Sequence, residues 1–276
     1  MLRAGATEIP LDRVAVMGIL NVTPDSFSDG GLWLDPERAV DHALEMVDRG
    51  AGIIDVGGES TRPGADPVPE DEELRRVVPV IERLAREVDV PISIDTRKAE
   101  VARHAVESGA CIVNDTLGEA SDEAIWQVAA ETGAALVFMH SRGTPATMRS
   151  LTDYSDVVED VALLLAEKAK AIQEAGIPSD ALVLDPGFGF AKTAEQNLML
   201  LHHLDRLVEI GYPILSGTSR KSFIGAVLDL PEGERVEGTA ATVAWSVMKG
   251  ARIVRVHDVG PMTRVVRMTE AILGGR

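Results

Sequence analysis

Two sets of side chains in this sequence have types and spacings suited to chemistry. Asp95, Asn114 and Asp185 each follow a short apolar run. Carboxylates and amide oxygens so placed can accept hydrogen bonds from the ring nitrogens and amino groups of a flat heterocycle. The second set, Lys221, Arg255 and His257, lies in Ser219-Arg220-Lys221-Ser222 and Arg255-Val256-His257-Asp258. In a chain with a formal charge of −17 these residues supply local positive charge, fit for an anion such as phosphate. Arg220 and Lys221 could instead be a solvated helix start, although the helix dipole disfavours cations there. Asp95, Asp115 and Thr96 could each cap the helix that follows. Of the histidines, His42, His104, His202 and His203 fall in helical patterns and read as surface, leaving His140 and His257 at strand ends.

These residues need a scaffold that brings distant segments together. Apolar, β-rich segments recur at Val14–Leu20, Gly52–Val56, Pro91–Ile94, Cys111–Val113, Ala134–Met139, Ala181–Leu184, Tyr212–Leu215 and Ile253–Val256, which predicts strands alternating with helices. Asp35-Pro36-Glu37 pairs a capping side chain with proline at the first helical position. Thr193-Ala194-Glu195-Gln196 reads as a capping box. Gly50, Gly109, Gly133, Gly176, Gly211 and Gly250 each stand between a helical pattern and a strand, the left-handed stop of a repeated helix-to-strand connection. Alternation of this kind implies a parallel sheet. Its length fits a single (β/α)8 TIM barrel over residues 1–276, with functional groups at the carboxyl ends of the strands. A doubly wound open sheet is the competing architecture, but no G-x-G-x-x-G follows the first strand.

In the barrel frame every strand end is polar: Asn21; Asp55 and Glu59-Ser60-Thr61-Arg62-Pro63; Asp95-Thr96-Arg97; Asn114-Asp115; His140-Ser141-Arg142; Asp185 to Phe190; Ser216 to Lys221; and His257-Asp258. Within Ile253-Val254-Arg255-Val256, alternation turns Arg255 away from its valine neighbours. Two loops, Asn21–Leu34 and Thr61–Pro69, are placed to close over a ligand. The net charge argues against nucleic acid or an anionic membrane as partner. No apolar run reaches the roughly 18 residues of a membrane span, and Met1 to Arg13 lacks signal-peptide features, so a cytoplasmic protein is expected. The one cysteine, Cys111, excludes an internal disulfide and reads as a small buried strand residue.

Taken together, Asn21 to Gly31, Asp55-Val56-Gly57-Gly58-Glu59-Ser60-Thr61-Arg62-Pro63-Gly64, Ser93-Ile94-Asp95-Thr96, Val113-Asn114-Asp115, Asp185-Pro186-Gly187-Phe188-Gly189-Phe190, Ser219-Arg220-Lys221-Ser222 and Arg255-Val256-His257-Asp258 resemble the dihydropteroate synthase family of the folate pathway over essentially the whole chain. The resemblance implies a transferase that condenses 6-hydroxymethyl-7,8-dihydropterin diphosphate with p-aminobenzoate, releasing diphosphate, with sulfonamides as competitors. By motif, Asp95, Asn114, Asp185, Gly217 and Lys221 would hold the pterin. Asn21, Thr61, Arg255 and His257 would hold diphosphate, with Asn21 also on Mg²⁺. Thr61, Arg62, Pro63, Phe190 and Ser222 would shape the p-aminobenzoate site. Asp95, Lys221, Arg255 and His257 would act in catalysis, and a homodimer through the later helices is implied. Thr116 stands where the family pattern leads one to expect a larger apolar residue. A corrinoid methyltransferase on the same pterin-binding barrel would not need the diphosphate groups. A non-catalytic pterin-binding paralogue would not need the full set.

Overall fold

The computed structural model describes residues 1–23, 36–60, 65–121 and 123–274. A short antiparallel hairpin, β1 (Leu2–Ala4) and β2 (Thr7–Ile9), comes first. Eight parallel strands follow: β3 (Ala15–Asn21), β4 (Ile53–Gly57), β5 (Ile92–Thr96), β6 (Ile112–Asp115), β7 (Ala135–Met139), β8 (Leu182–Asp185), β9 (Leu215–Ser216) and β10 (Ile253–Val256). They pair in the order β8-β7-β6-β5-β4-β3-β10-β9. The ring is drawn shut where the Leu184 N–H donates to the Pro213 carbonyl at 3.0 Å. The (β/α)8 barrel expected from the alternating pattern is the architecture observed.

Helices α1 (Pro36–Asp48), α2 (Glu70–Glu87), α3 (Ala99–Glu107), α4 (Glu123–Thr132), α5 (Val157–Glu174), α6 (Ala194–His202), α7 (Leu204–Val208), α8 (Ser222–Leu228), α9 (Val236–Met248) and α10 (Val259–Ile272) surround the sheet. The Thr193 capping box forms, with side chain and backbone bonds both present. All six connector glycines have positive φ, between 73° and 121°, where a Cβ would be strained. Among the described residues no helix is long and apolar enough to cross a membrane.

Strand alternation divides the core. Val16, Leu20, Ile54, Val56, Ile94, Val113, Leu184, Val254 and Val256 join the cluster packed with the helices. Met17, Ile53, Ile112, Val137, Val183, Leu215 and Ile253 form a second cluster with Leu2, Ala4, Ile9 and Leu11. The hairpin therefore packs with the inward-facing lower layer of the barrel. It has no signature in the sequence beyond three-residue apolar alternation. Above that layer the same alternation puts polar residues inside: Asp55, Ser93, Asp95, Asn114, Asp185 and Arg255.

Six of the eight barrel strands run past the apolar segments by one or two residues, so Asn21, Asp95, Asn114 and Asp185 are strand residues rather than loop residues. Two boundaries differ from expectation. The seventh barrel strand is only Leu215–Ser216, not Tyr212–Leu215, because Pro213 has no N–H to give to a ladder. Cys111 precedes β6 and is half-buried rather than buried; burial still pushes its thiol upward.

Candidate active site

The inward layer ends in a cavity of about 310 Å³ at the carboxyl ends of the strands. Asp95, Asn114, Thr116, Met139, Asp185, Gly187, Phe188, Phe190, Gly217, Lys221 and Arg255 line it. Asp95, Asn114, Asp185, Gly217, Lys221, Arg255 and Phe190, assigned from sequence, thus meet in one place although they come from five different strand ends. Asn21, half-buried at the end of β3, is not among the residues that line the cavity. His257 lies just past β10, where its Nδ1 is 3.0 Å from Ser219 Oγ and its backbone N–H donates to that oxygen at 3.1 Å. Ser222 is exposed at the first turn of α8. Thr61, Arg62 and Pro63, and the lid reading of Val22–Leu34 beyond Thr23, lie outside the described residues.

The cavity floor is a charge network. Arg255 donates from Nε to Asp55 Oδ2 at 2.6 Å and from Nη2 to Asp95 Oδ2 at 2.7 Å. Asn114 Nδ2 also donates to Asp55 Oδ2, at 3.1 Å, which turns Asn114 Oδ1 away as an acceptor. Buried Asn114 Oδ1 has no hydrogen-bond partner among the described residues. An orphaned acceptor in a cavity wall suits a ligand that brings donors. Asp185 Oδ1 accepts from the Gly187 N–H at 2.7 Å, which fixes the carboxylate plane.

Burial and charge set the protonation of the floor. Burial pushes the Asp95 carboxyl up to about 7; Arg255 opposes this, Asp55 adds to it and the Thr116 hydroxyl opposes it. Two carboxylates sharing one guanidinium leave net negative charge in a dry place, so the upward direction follows. Asp185 is pushed up to about 6 by burial, against its Gly187 hydrogen bond and Lys221. For Arg255 burial works downward, yet Asp55 and Asp95 together raise it further above its ordinary value. Lys221 lies with Nζ 4.2 Å from the centroid of Phe190, and so covers the wall of the cavity.

The neighbours at the strand ends divide by face. Asp95 turns in, whereas Thr96 turns out, donating to Glu73 Oε1 at 2.8 Å. Asn114 turns in, whereas Asp115 accepts from the Leu117 N–H at 3.0 Å and from Ser121 and Trp126. Thr96 and Asp115 are thus satisfied within the protein, but in local turns and side-chain contacts rather than as caps, since neither α3 nor the turn at Gly118 carries a side-chain cap; Asp95 faces the cavity instead. Arg220 is not a solvated helix start: it is bidentate to Asp258, at 2.9 and 2.6 Å, and sits at φ 56°. Glu59 takes ion pairs from Arg97 and Lys98, and Lys98 also reaches Glu73, tying the mouth segments after β4 and β5 to α2.

One pair had no sequence reading of its own. Lys192 is buried, with Nζ 2.9 Å from His140 Nδ1 and donating to the carbonyls of Gly187 at 3.0 Å and Phe190 at 3.1 Å. Burial pushes Lys192 down to about 7, Asp185 opposing, and burial plus Lys192 keep His140 neutral. This ammonium therefore anchors the Gly187–Phe190 loop that walls the cavity. A lysine closing the glycine- and phenylalanine-rich run Gly187-Phe188-Gly189-Phe190-Ala191 was the available signal.

The chain matches the pterin binding enzyme family over residues 17–257. It is 51% identical over 262 residues to the dihydropteroate synthase of Bacillus subtilis, covering 95% of this chain and 90% of that protein. The dihydropteroate synthase of Yersinia pestis, solved in complex with a sulfonamide drug, superposes with a TM-score of 0.93 at 43% identity, over 99% of this chain and 98% of that one. The enzyme of Xanthomonas albilineans in complex with 7,8-dihydropteroate gives 0.89 at 40% identity, over 99% of both chains. With a barrel of the same form and so long a match, the chain belongs to the pterin binding enzyme family, among its dihydropteroate synthases.

Proposed function

We propose that this barrel joins 6-hydroxymethyl-7,8-dihydropterin diphosphate to p-aminobenzoate by dissociative substitution, in one domain, with the pterin in the cavity above the Asp55–Arg255–Asp95 floor. The observation that carries the placement is the convergence of Asp95, Asn114 and Asp185 on that cavity, with Asn114 Oδ1 left for a donor. In this reading Asp185 and Asn114 accept from the amino-pyrimidinone edge. Gly217 leaves room for the ring, since a Cβ there would project to 3.9 Å from Asp185 Oδ2. Lys221 packs over the pterin beside Phe190.

The diphosphate then lies at the rim with Asn21, Thr61 and His257. Arg255 contributes positive potential from below, with Nε and Nη2 held by the carboxylates. Breaking the carbon–oxygen bond sends the electron pair to the diphosphate oxygen and leaves a cation delocalised into the pterin. Anionic Asp95 stabilises that cation more than it stabilises the ground state, which is what accelerates the step. The aromatic amine, held near Thr61, Arg62, Pro63, Phe190 and Ser222, adds its lone pair to the methylene carbon and gives up a proton. No protein nucleophile takes part.

Asn21 offers one amide oxygen at the end of β3, and among the described residues no group of three or more His, Cys, Asp or Glu is placed to hold a metal. That donor set fits Mg²⁺ arriving with the substrate, since Mg²⁺ is commonly held by one or two protein oxygens plus phosphate. When bound it would neutralise charge on the departing diphosphate. The reading also includes a cytoplasmic homodimer. Exposed Leu198 and Met199 on α6, Val227 and Leu228 on α8, and Met268 and Ile272 on α10 support an apolar contact through the later helices. Light scattering showing only monomer would remove the dimer.

The test is turnover. Purified protein with Mg²⁺, pterin diphosphate and radiolabelled p-aminobenzoate should form labelled dihydropteroate and diphosphate in equal amounts. No product above background, with calorimetry showing intact pterin binding, would leave a binding protein and not an enzyme.

A further inference from the structure

Asp95 has two hands on it besides the charged floor residues' fields. One is Arg255 on Oδ2; the other is Thr116, whose hydroxyl donates to Oδ1 at 3.1 Å. Thr116 is buried, follows β6, and lines both the pterin cavity and an adjoining cavity of about 350 Å³ bounded by Arg97, Ser141, Met148 and Phe190. A larger apolar residue at this position would fill the junction between the two cavities but could donate nothing to Asp95. We propose that Thr116 is a positioning residue for bond cleavage: its hydroxyl orients the Asp95 carboxylate toward the pterin and favours its anionic form. This rests on the reaction proposed above.

The charged groups that act on Asp95 are Arg255 from β10 and Asp55 from β4, which share the floor with it, and Glu73 of α2 from the outer side of the sheet. Arg255 favours the anion, while both carboxylates oppose it. Arg255 must also serve Asp55, so it cannot neutralise both acids. Thr116 is the neutral donor that completes the set. Without it, Oδ1 would lose that partner in a place only 6% exposed, and protonation would become easier.

Replacing Thr116 by valine keeps shape and volume while deleting the donor. A hydrogen bond to a charged group predicts a fall in kcat of about 10-fold and an acid limb moved up by about one pH unit, with the KM for pterin diphosphate changed by less than about 3-fold. T116S, which restores the hydroxyl without the methyl, should recover most of kcat and the original limb. In the ligand-free protein, carbon-13 NMR of the Asp95 carboxyl should show the same upward shift in T116V and its reversal in T116S. Wild-type kcat and titration in T116V would overturn the proposal. So would a T116S variant no better than T116V, since the methyl group would then be what matters. If the wild-type protein itself turns nothing over, the reaction has failed, and the NMR titration still decides the Thr116–Asp95 contact separately.

Discussion

Replacing Arg255 by methionine should cost the protein stability before it costs anything else, and the cost should depend on pH. The guanidinium spans two carboxylates whose side chains are 0% and 7% exposed. Deleting one partner of a buried ion pair costs about 3–5 kcal/mol. That is a large part of the roughly 5–15 kcal/mol available to a domain. Burial already pushes the Asp95 carboxyl up to about 7, above its ordinary value. An acid raised in this way binds protons more tightly folded than unfolded, so its contribution to stability is present at low pH and is lost as pH rises through the folded value. Removing Arg255 pushes that folded value higher still, so loss continues above 7 in the variant after it has levelled off in the wild type. Urea unfolding followed by circular dichroism should therefore show a deficit of about 3–5 kcal/mol near pH 8.5, smaller by about 1 kcal/mol or more near pH 6. Adding D95N to the variant should recover part of it. An equal deficit at both pH values, or none, would refute the floor as described.

Other consequences are as direct. Because Asp185 and Asp95 are pushed up to about 6 and about 7 and must both be anionic to act, kcat/KM should rise with pH through that interval and then level off; an acid limb below about pH 5 would mean neither ionisation governs the rate. Gly187 sits at φ 67°, and a Cβ there would lie 1.8 Å from the His140 carbonyl oxygen. G187A should lose about 2–5 kcal/mol of stability by thermal or urea unfolding, and a wild-type midpoint would show that the loop is free to move. A sulfonamide should raise the apparent KM for p-aminobenzoate at unchanged maximal rate; full activity at saturating sulfonamide would place the aromatic substrate elsewhere.

The barrel was legible because its signals are local. Glycine stops, the Thr193 box and apolar runs are each set by a few neighbouring residues; the stops and the box appear where expected, and each apolar run marks a strand, though the seventh shrinks to Leu215–Ser216. Asp95, Asn114 and Asp185 could be picked out as candidates because all the strand ends are polar at once, more than structural roles for single residues account for. What could not be read is pairing at a distance. Arg255 needs a partner on any physical argument, but Asp55 is 200 residues away and could be chosen only after the strands close into a ring. The division of Asp95 from Thr96, and of Asn114 from Asp115, follows from strand alternation once the strands are extended by two residues. The apolar run alone ends too soon to show it. Lys192 was obscured for a different reason: a buried lysine satisfied by two carbonyls and a neutral imidazole has no charge partner in the sequence to mark it.

The central claim is that Asp95 acts on the cation formed as diphosphate departs, in a cavity that holds the pterin by other groups. Single-turnover diphosphate release in D95N, set beside calorimetric affinity for the pterin diphosphate, measures this most directly. Loss of the anion predicts a cleavage rate lower by about 100-fold or more with affinity changed by less than about 5-fold. Equal losses in rate and affinity would contradict the account and make Asp95 a binding residue alone.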